Sequence, residues 1–259
     1  MPRNALVGHN VESGPPGAGR FASGERPIPT ALSTPQIGFR VTSPWPADTR
    51  AAAELQARLA DMVVEEGALT GSYLAAGADL HVTRGGDLGV AAVVCVTVPD
   101  GDVVEEAVVE HPVTFPYVPG LLSFRELPPL MAAFAALRRR PDVVLVDGHG
   151  RAHPRGFGLA CHLGLELDLP TVGCAKSPLA GEPGVPGERP GDLADLIVRG
   201  SRAGAVLRSR RGCRPLYVSV GHRLSLEGAI AVVEDCLDGH RVPLPLRLAH
   251  QLAKGRARR

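Results

Sequence analysis

Pro141-Asp-Val-Val-Leu-Val-Asp-Gly-His-Gly150 holds an unbroken apolar run of four residues that ends in a carboxylate and passes directly into a glycine-flanked turn. Such a run, without alternation of polar and apolar residues, fits a central strand covered on both faces. Upstream, Tyr73–Val82, Leu88–Val98 and Val103–Glu110 are β-branched and apolar, separated by Gly85-Gly86 and by Pro99-Asp100-Gly101. Loops this short join antiparallel neighbours and cannot carry a parallel crossover. Between this meander and Asp142–Asp147, the spacing predicts a helix over about Phe124–Arg140. Beyond it, a helix over about Arg155–Glu166 leads to a fifth strand, Thr171–Ala175. The order β-β-β-α-β-α-β defines an α/β protein with a mixed sheet, three antiparallel strands continued by parallel ones, flanked by helices.

The flanks read less uniformly. Ala47–Glu66 spaces its apolar residues as one long amphipathic helix, with Asp48 placed to cap it. Residues 182–191 are a Gly/Pro-rich loop, Asp192–Arg199 reads as helical, and Ala205–Ser209 with Pro215–Val220 reads as a hairpin. Ser225–Leu237 is a last amphipathic helix with Ser225 as N-cap. Residues 246–259, ending Lys254-Gly-Arg-Ala-Arg-Arg259, read as a basic tail. The chain has 259 residues with 31 glycines and 24 prolines, densest in residues 1–46, which hold 14 of these 55 and are expected to form a disordered leader. The expected catalytic domain is 47–245.

Net charge is +1, from 28 basic and 27 acidic residues, so a uniformly basic nucleic-acid-coating protein is excluded. Six arginines without an acid between Arg199 and Arg214 still form a basic strip compatible with gripping a phosphate backbone or with a solvated hairpin edge. The five cysteines lack CxxC spacing and sit mainly in apolar runs, which points to reduced thiols and a cytoplasmic setting. No apolar run is long enough to span a bilayer, so no membrane partner is expected. A monomer is expected.

Three carboxylates stand out: Asp79 inside a small, apolar strand, Glu126 at the start of the crossover helix, and Asp147 at the carboxyl end of a parallel strand. Taken singly, each has a plainer reading, as a solvated strand face, a helix-dipole partner and a turn cap. If the first and fourth strands are neighbours, Asp79 and Asp147 share a rim. Oxygen ligands without cysteine favour Mg²⁺ or Mn²⁺, and such a cluster suits phosphodiester hydrolysis. Lys176, one of two lysines, follows the fifth strand, where an ammonium can meet a phosphate or can be an ordinary surface charge. His222 precedes the last helix and is a candidate metal ligand or proton carrier. The pair His149 and His153 is discounted as a zinc site because a glycine and a His-Pro step interrupt any helix that would align them.

The stretches Phe115-Pro-Tyr-Val-Pro-Gly-Leu-Leu-Ser-Phe-Arg-Glu126, Pro141–Arg155 and Pro170-Thr-Val-Gly-Cys-Ala-Lys176 closely resemble the endonuclease V family, and Ala76–Asp79 and Gly221–Arg223 follow in the family's order. The resemblance covers about residues 45–241. It implies an RNase H-like fold and a DNA repair endonuclease that recognises deoxyinosine. The expected cut is Mg²⁺-dependent hydrolysis of the second phosphodiester bond 3′ to the lesion, leaving 3′-hydroxyl and 5′-phosphate ends; Mn²⁺ is expected to substitute. By the same resemblance Asp79, Glu126 and Asp147 fall on metal-binding carboxylates, His222 on an accessory histidine and Lys176 near the scissile phosphate. Pro116, Tyr117 and Pro119 fall on a wedge that takes the place of the extruded base, and Gly120, Leu122, Gly148 and His153 on the pocket that receives it. The leader, the 182–191 loop and Pro178 depart from the family pattern. Two alternatives stay open: an endoribonuclease acting on inosine-containing RNA, and a non-catalytic nucleic-acid-binding module.

Overall fold

The computed structural model describes residues 45–258. The expectation of a disordered leader therefore lies outside the described residues, except for Trp45 and Pro46. Trp45 is docked: its ring stacks on His162 at 5.8 Å and meets Phe124 edge-on at 5.5 Å.

Nine strands form one sheet. The meander is β1 (Tyr73–Val82), β2 (Leu88–Val98) and β3 (Val103–Pro112), and the central strands are β4 (Val143–Val146) and β5 (Thr171–Ala175). A second antiparallel half contains β6 (Glu182–Pro183), β7 (Leu193–Val198), β8 (Ser201–Leu207) and β9 (Leu216–His222). The spatial order is β3-β2-β1-β4-β5-β9-β8-β7-β6. β1 is antiparallel to β2 and parallel to β4, and β4 is parallel to β5, as the strand order of the sequence predicts. The architecture is RNase H-like, a large mixed sheet flanked by helices.

Helices cover both faces of the sheet. α2 (Leu122–Ala135) and α3 (Leu159–Leu167) pack Leu127, Leu130, Phe134 and Leu163 against Ala76, Val93, Val144 and Val146. On the opposite face, α4 (Leu226–Asp235) and α5 (Leu244–Arg256) bury Ile230, Val233, Leu246 and Ala249 against Val94, Leu145, Val172 and Val218. Strands β4 and β5 are buried along their whole length, which accounts for their lack of charged residues. α1 (Thr49–Ala60) lies over α3 and shares a smaller core with Phe115, Phe124, Phe157 and Cys161. No helix of the described residues is long and apolar enough to cross a membrane.

Several local expectations change. α1 is capped by Asp48, whose side chain accepts from Ala51 N, but it stops at Ala60 and does not reach Glu66. The continuation is drawn into an extended path by bonds from Val64 N to the His222 ring and from Arg223 N to Val64 O. α2 ends short of Arg140 because the amides of Arg138 and Arg139 bond the Glu105 carboxylate on β3. α3 begins at Leu159, after a loop whose amides bond strand β9: Gly150 N donates to Ser219 Oγ and Arg151 N to Val220 O. Residues 193–198, expected to be helical, are strand β7, paired to β8 through the two-residue turn Arg199-Gly200. The expected basic tail is largely helix α5, led in by Pro243 and Pro245, and the structure carries the folded unit past residue 245. Ser225 caps α4 as expected, accepting from Gly228 N. Four of the five cysteines are buried and all are free thiols.

Candidate active site

Ala78 on β1 pairs with Val146 on β4, so the next residues, Asp79, still paired to Ala92 on β2, and Asp147, just past the end of β4, lie side by side. Both follow the odd-numbered positions that face α4 and α5. Asp79 accepts a hydrogen bond from His250 Nδ1 on α5 at 2.9 Å. Asp147 is ion-paired with the Lys176 ammonium, which stands at the exit of β5. Arg241 anchors that exit, donating to the Lys176 carbonyl and to Pro215 O at 2.9 Å each. Glu126 reaches the same rim from α2. Burial, then repulsion from Asp79 and Asp147, pushes its carboxyl up to about 8. Burial and the Asp147 charge likewise raise Asp79, against the lowering influence of His250 and Lys176.

Asp79 and Glu126, both raised and crowded beside Asp147, fit a hard divalent cation, whose charge would relieve the repulsion. The donor set of Asp79, Glu126 and Asp147 is all oxygen. Among the described residues no three His, Cys, Asp or Glu side chains converge as tightly as a filled coordination sphere requires. The fit is thus one of donor chemistry and shared electrostatics.

Beside the rim lies a cavity of about 260 Å³ whose lining includes Tyr117, Gly120, Leu122, Asp147, Gly148 and Lys176. This is just below the size range of pockets for drug-sized ligands, roughly 300–1,000 Å³. Tyr117 is 70% exposed between Pro116 and Pro119, so its ring projects from a turn that the two rings stiffen. Gly120 is left-handed at φ 79°, and a Cβ there would come within 3.1 Å of the Arg155 guanidinium. The Gly120 carbonyl accepts from Arg155 Nη2 at 2.6 Å and from His153 Nε2 at 3.0 Å. Arg155 N donates to His153 Nδ1, so the ring proton lies on Nε2 and the imidazole is neutral. Burial and the Arg155 charge hold its pKa down to about 4. Arg125 bonds Phe115 O and Gly86 O, tying the start of the 115–120 turn to the meander. His153 lines a smaller space of about 30 Å³ behind this cavity, together with Gly120, Leu122, Ser123 and His149.

His222 is not part of this constellation. β9 runs antiparallel to β5, so His222 pairs with Thr171 at the start of β5 while Lys176 follows its end. Five residues of extended chain separate them by roughly 16 Å at ~3.3 Å per residue. His222 is 3% exposed, accepts from Val64 N at 3.2 Å and faces Asp168 at 3.8 Å, a structural post between the α1 exit and the α3–β5 turn. The histidine that reaches the carboxylates is His250. The Arg199–Arg214 strip is also divided. Arg208 is buried on Gly187 O and Cys213 O, Arg202 pairs with Asp195 and Glu227, and Arg210, Arg211 and Arg214 lie in or beside the β8–β9 loop near the Lys176 end.

An RNase H-like sheet with acidic residues side by side on adjoining parallel strands defines a class of nucleases. The sequence profile of endonuclease V matches residues 57–251. Endonuclease V of Dehalococcoides mccartyi is 46% identical over 209 residues, covering 81% of this chain and 94% of that protein. The crystal structure of the Streptomyces avermitilis endonuclease V superposes with a TM-score of 0.79 at 39% identity, over 83% of this chain and 95% of that one. A Ciona intestinalis endonuclease V, bound to a 23mer DNA containing an inosine followed by a ribo-adenosine, shares the fold with a TM-score of 0.72 at 23% identity, over 81% and 96% of the chains. This chain belongs to the endonuclease V family, and it is a nuclease.

Proposed function

We propose that the protein is a DNA repair endonuclease that extrudes deoxyinosine and hydrolyses the second phosphodiester bond 3′ to it, leaving 3′-hydroxyl and 5′-phosphate ends. The observation that carries this reading is the adjacency of two sites: Asp147 and Lys176 belong both to the acidic rim and to the wall of the cavity beside Tyr117. The Ciona relative's inosine-containing DNA agrees with it.

In this mechanism Tyr117 fills the gap in the stack, which opens most easily at a badly paired base. The base enters the cavity against the backbone of Gly120 and Gly148. Lys176 steadies charge on the phosphate near the reacting bond, and His250 keeps the Asp79 carboxylate oriented. Asp79, Glu126 and Asp147 would hold Mg²⁺, with Mn²⁺ as a substitute. The chemistry available there would be that of a Lewis acid, which would make water more acidic and offset negative charge at the phosphate.

Matched strands carrying one deoxyinosine or one ribo-inosine, incubated with the protein and Mg²⁺, test the substrate. Faster nicking of the deoxyinosine strand is expected, with the cut one nucleotide beyond the lesion's own 3′ bond. A preference for the ribo strand would move the activity to inosine-containing RNA.

A further inference from the structure

A second cleft, of about 550 Å³, shares His153 with the space behind the base cavity and none of the acidic rim. Its walls carry Arg151, Arg155, Arg199 and Arg202, with Asp61 and Glu65. Arg151 is paired with Glu65 at 2.9 Å and Arg202 with Asp195 and Glu227 at 2.7 Å each. Arg155 donates to neutral oxygens, Gln56 Oε1 and Gly120 O. Among the described residues Arg199 makes no hydrogen bond or ion pair, and Asp61 forms no ion pair with either arginine. Two guanidiniums are therefore left without an anion in one cleft. Their mutual repulsion is felt: burial, then the Arg199 charge, lowers the Arg155 pKa, and Arg199 also disfavours protonation of His153.

The backbone at Arg199 gives an independent pointer. The β7–β8 turn places Arg199 at φ 53° and Gly200 at φ 80°. Two left-handed residues in a two-residue hairpin are the usual place for Asn-Gly or Asp-Gly. An arginine there carries a conformational cost that its neighbours in the turn do not require, while its side chain faces the cleft.

We infer that this cleft is a second phosphate site, which takes a phosphodiester of the nucleic acid away from the bond that is cut. The inference rests on the nucleic-acid reading above. Arg155 would link the two sites, because the guanidinium that lines the cleft also holds the Gly120 carbonyl of the wedge turn. A phosphate seated on Arg155 and Arg199 would fix that turn beside a strand already in register.

The test is the salt dependence of binding, measured in EDTA so that nothing is cut. The wild-type protein and Arg199→Asn are compared on an unmodified duplex and on an inosine-containing single strand. Asparagine suits the left-handed turn, and equal melting temperatures verify that folding is kept. The slope of log affinity against log salt should fall by about 0.9 on duplex or about 0.7 on single strand, because one phosphate is no longer neutralised. On a fourfold rise in salt, the variant then loses about 3.5-fold less duplex affinity than the wild type. A change on both substrates assigns the phosphate to the lesion strand, and a change on duplex alone assigns it to the opposite strand. Identical slopes on both substrates would overturn the inference. If the slopes differ but the wild-type protein cuts no inosine strand in Mg²⁺, the cleft stands and the proposed activity falls.

Discussion

Asp79 and Asp147 were legible only as candidates: each has a plainer reading on its own, and what singled them out was the strand order that makes the first and fourth strands neighbours. The structure places them on neighbouring strands in register. A further group at that rim, His250, was not legible, since its helix reads as a basic tail. The available signal was the Leu246, Ala249 and Ala253 spacing behind Pro243 and Pro245, which defines an amphipathic helix and sets His250 beside its buried stripe. His222, by contrast, is a residue that follows a glycine in the sequence and a buried post in the fold. The two histidines should therefore respond differently. His250→Ala should raise the Mg²⁺ concentration for half-maximal nicking about 10–100-fold, as loss of an outer partner of a metal-holding carboxylate does. His222→Ala should leave that requirement unmoved and cost about 1–3 kcal/mol of stability in denaturant unfolding. The reverse pattern would restore His222 to the site.

At the scale of elements, the meander and the two parallel strands were readable because each is buried and largely apolar, so pattern and environment agree. β7 was not. Leu193, Leu196 and Ile197 fall at helical spacing by coincidence, and only pairing with β8 makes them a strand. α5 depends on a long-range approach of the same kind. A Cβ on Gly77 would lie 2.1 Å from the Pro245 carbonyl carbon, so the glycine in β1 is what lets the start of α5 lie against the sheet. Gly77→Ala should push α5 away, carrying His250 from Asp79. The expected loss is about 3 kcal/mol, or roughly 6–12 °C in melting temperature. Nicking should weaken even below the melting range. An unchanged melting temperature would mean that α5 does not need this close approach.

The whole molecule supports one rim with a sheet whose central strands are sealed on both faces, and one consequence is a core that contains titratable groups. His162 is wholly buried among Trp45, Phe124 and Phe157, with neither ring nitrogen hydrogen-bonded among the described residues. Burial pushes its pKa down to about 3. The unfolded chain, with an ordinary value of about 6.5, binds a proton that the folded state refuses. Stability contributed this way is present above pH ~6.5 and is lost as pH falls toward 3, by up to about 1.4 kcal/mol per pH unit. His162→Phe should flatten the fall in unfolding free energy between about pH 6 and 4.5; an unchanged slope would show that the ring already titrates normally in the fold. The activity proposed for Asp79, Glu126 and Asp147, beside the Tyr117 cavity, is the cutting of DNA at deoxyinosine. Its most direct measurement is the nicking of a duplex with a single deoxyinosine in Mg²⁺ by the wild-type protein and by Asp147→Ala, with folding of both verified by thermal melting. The wild-type protein should cut at the second bond 3′ to the lesion, and the variant should be slower by on the order of 10²-fold or more. Full nicking by the folded variant would contradict the account.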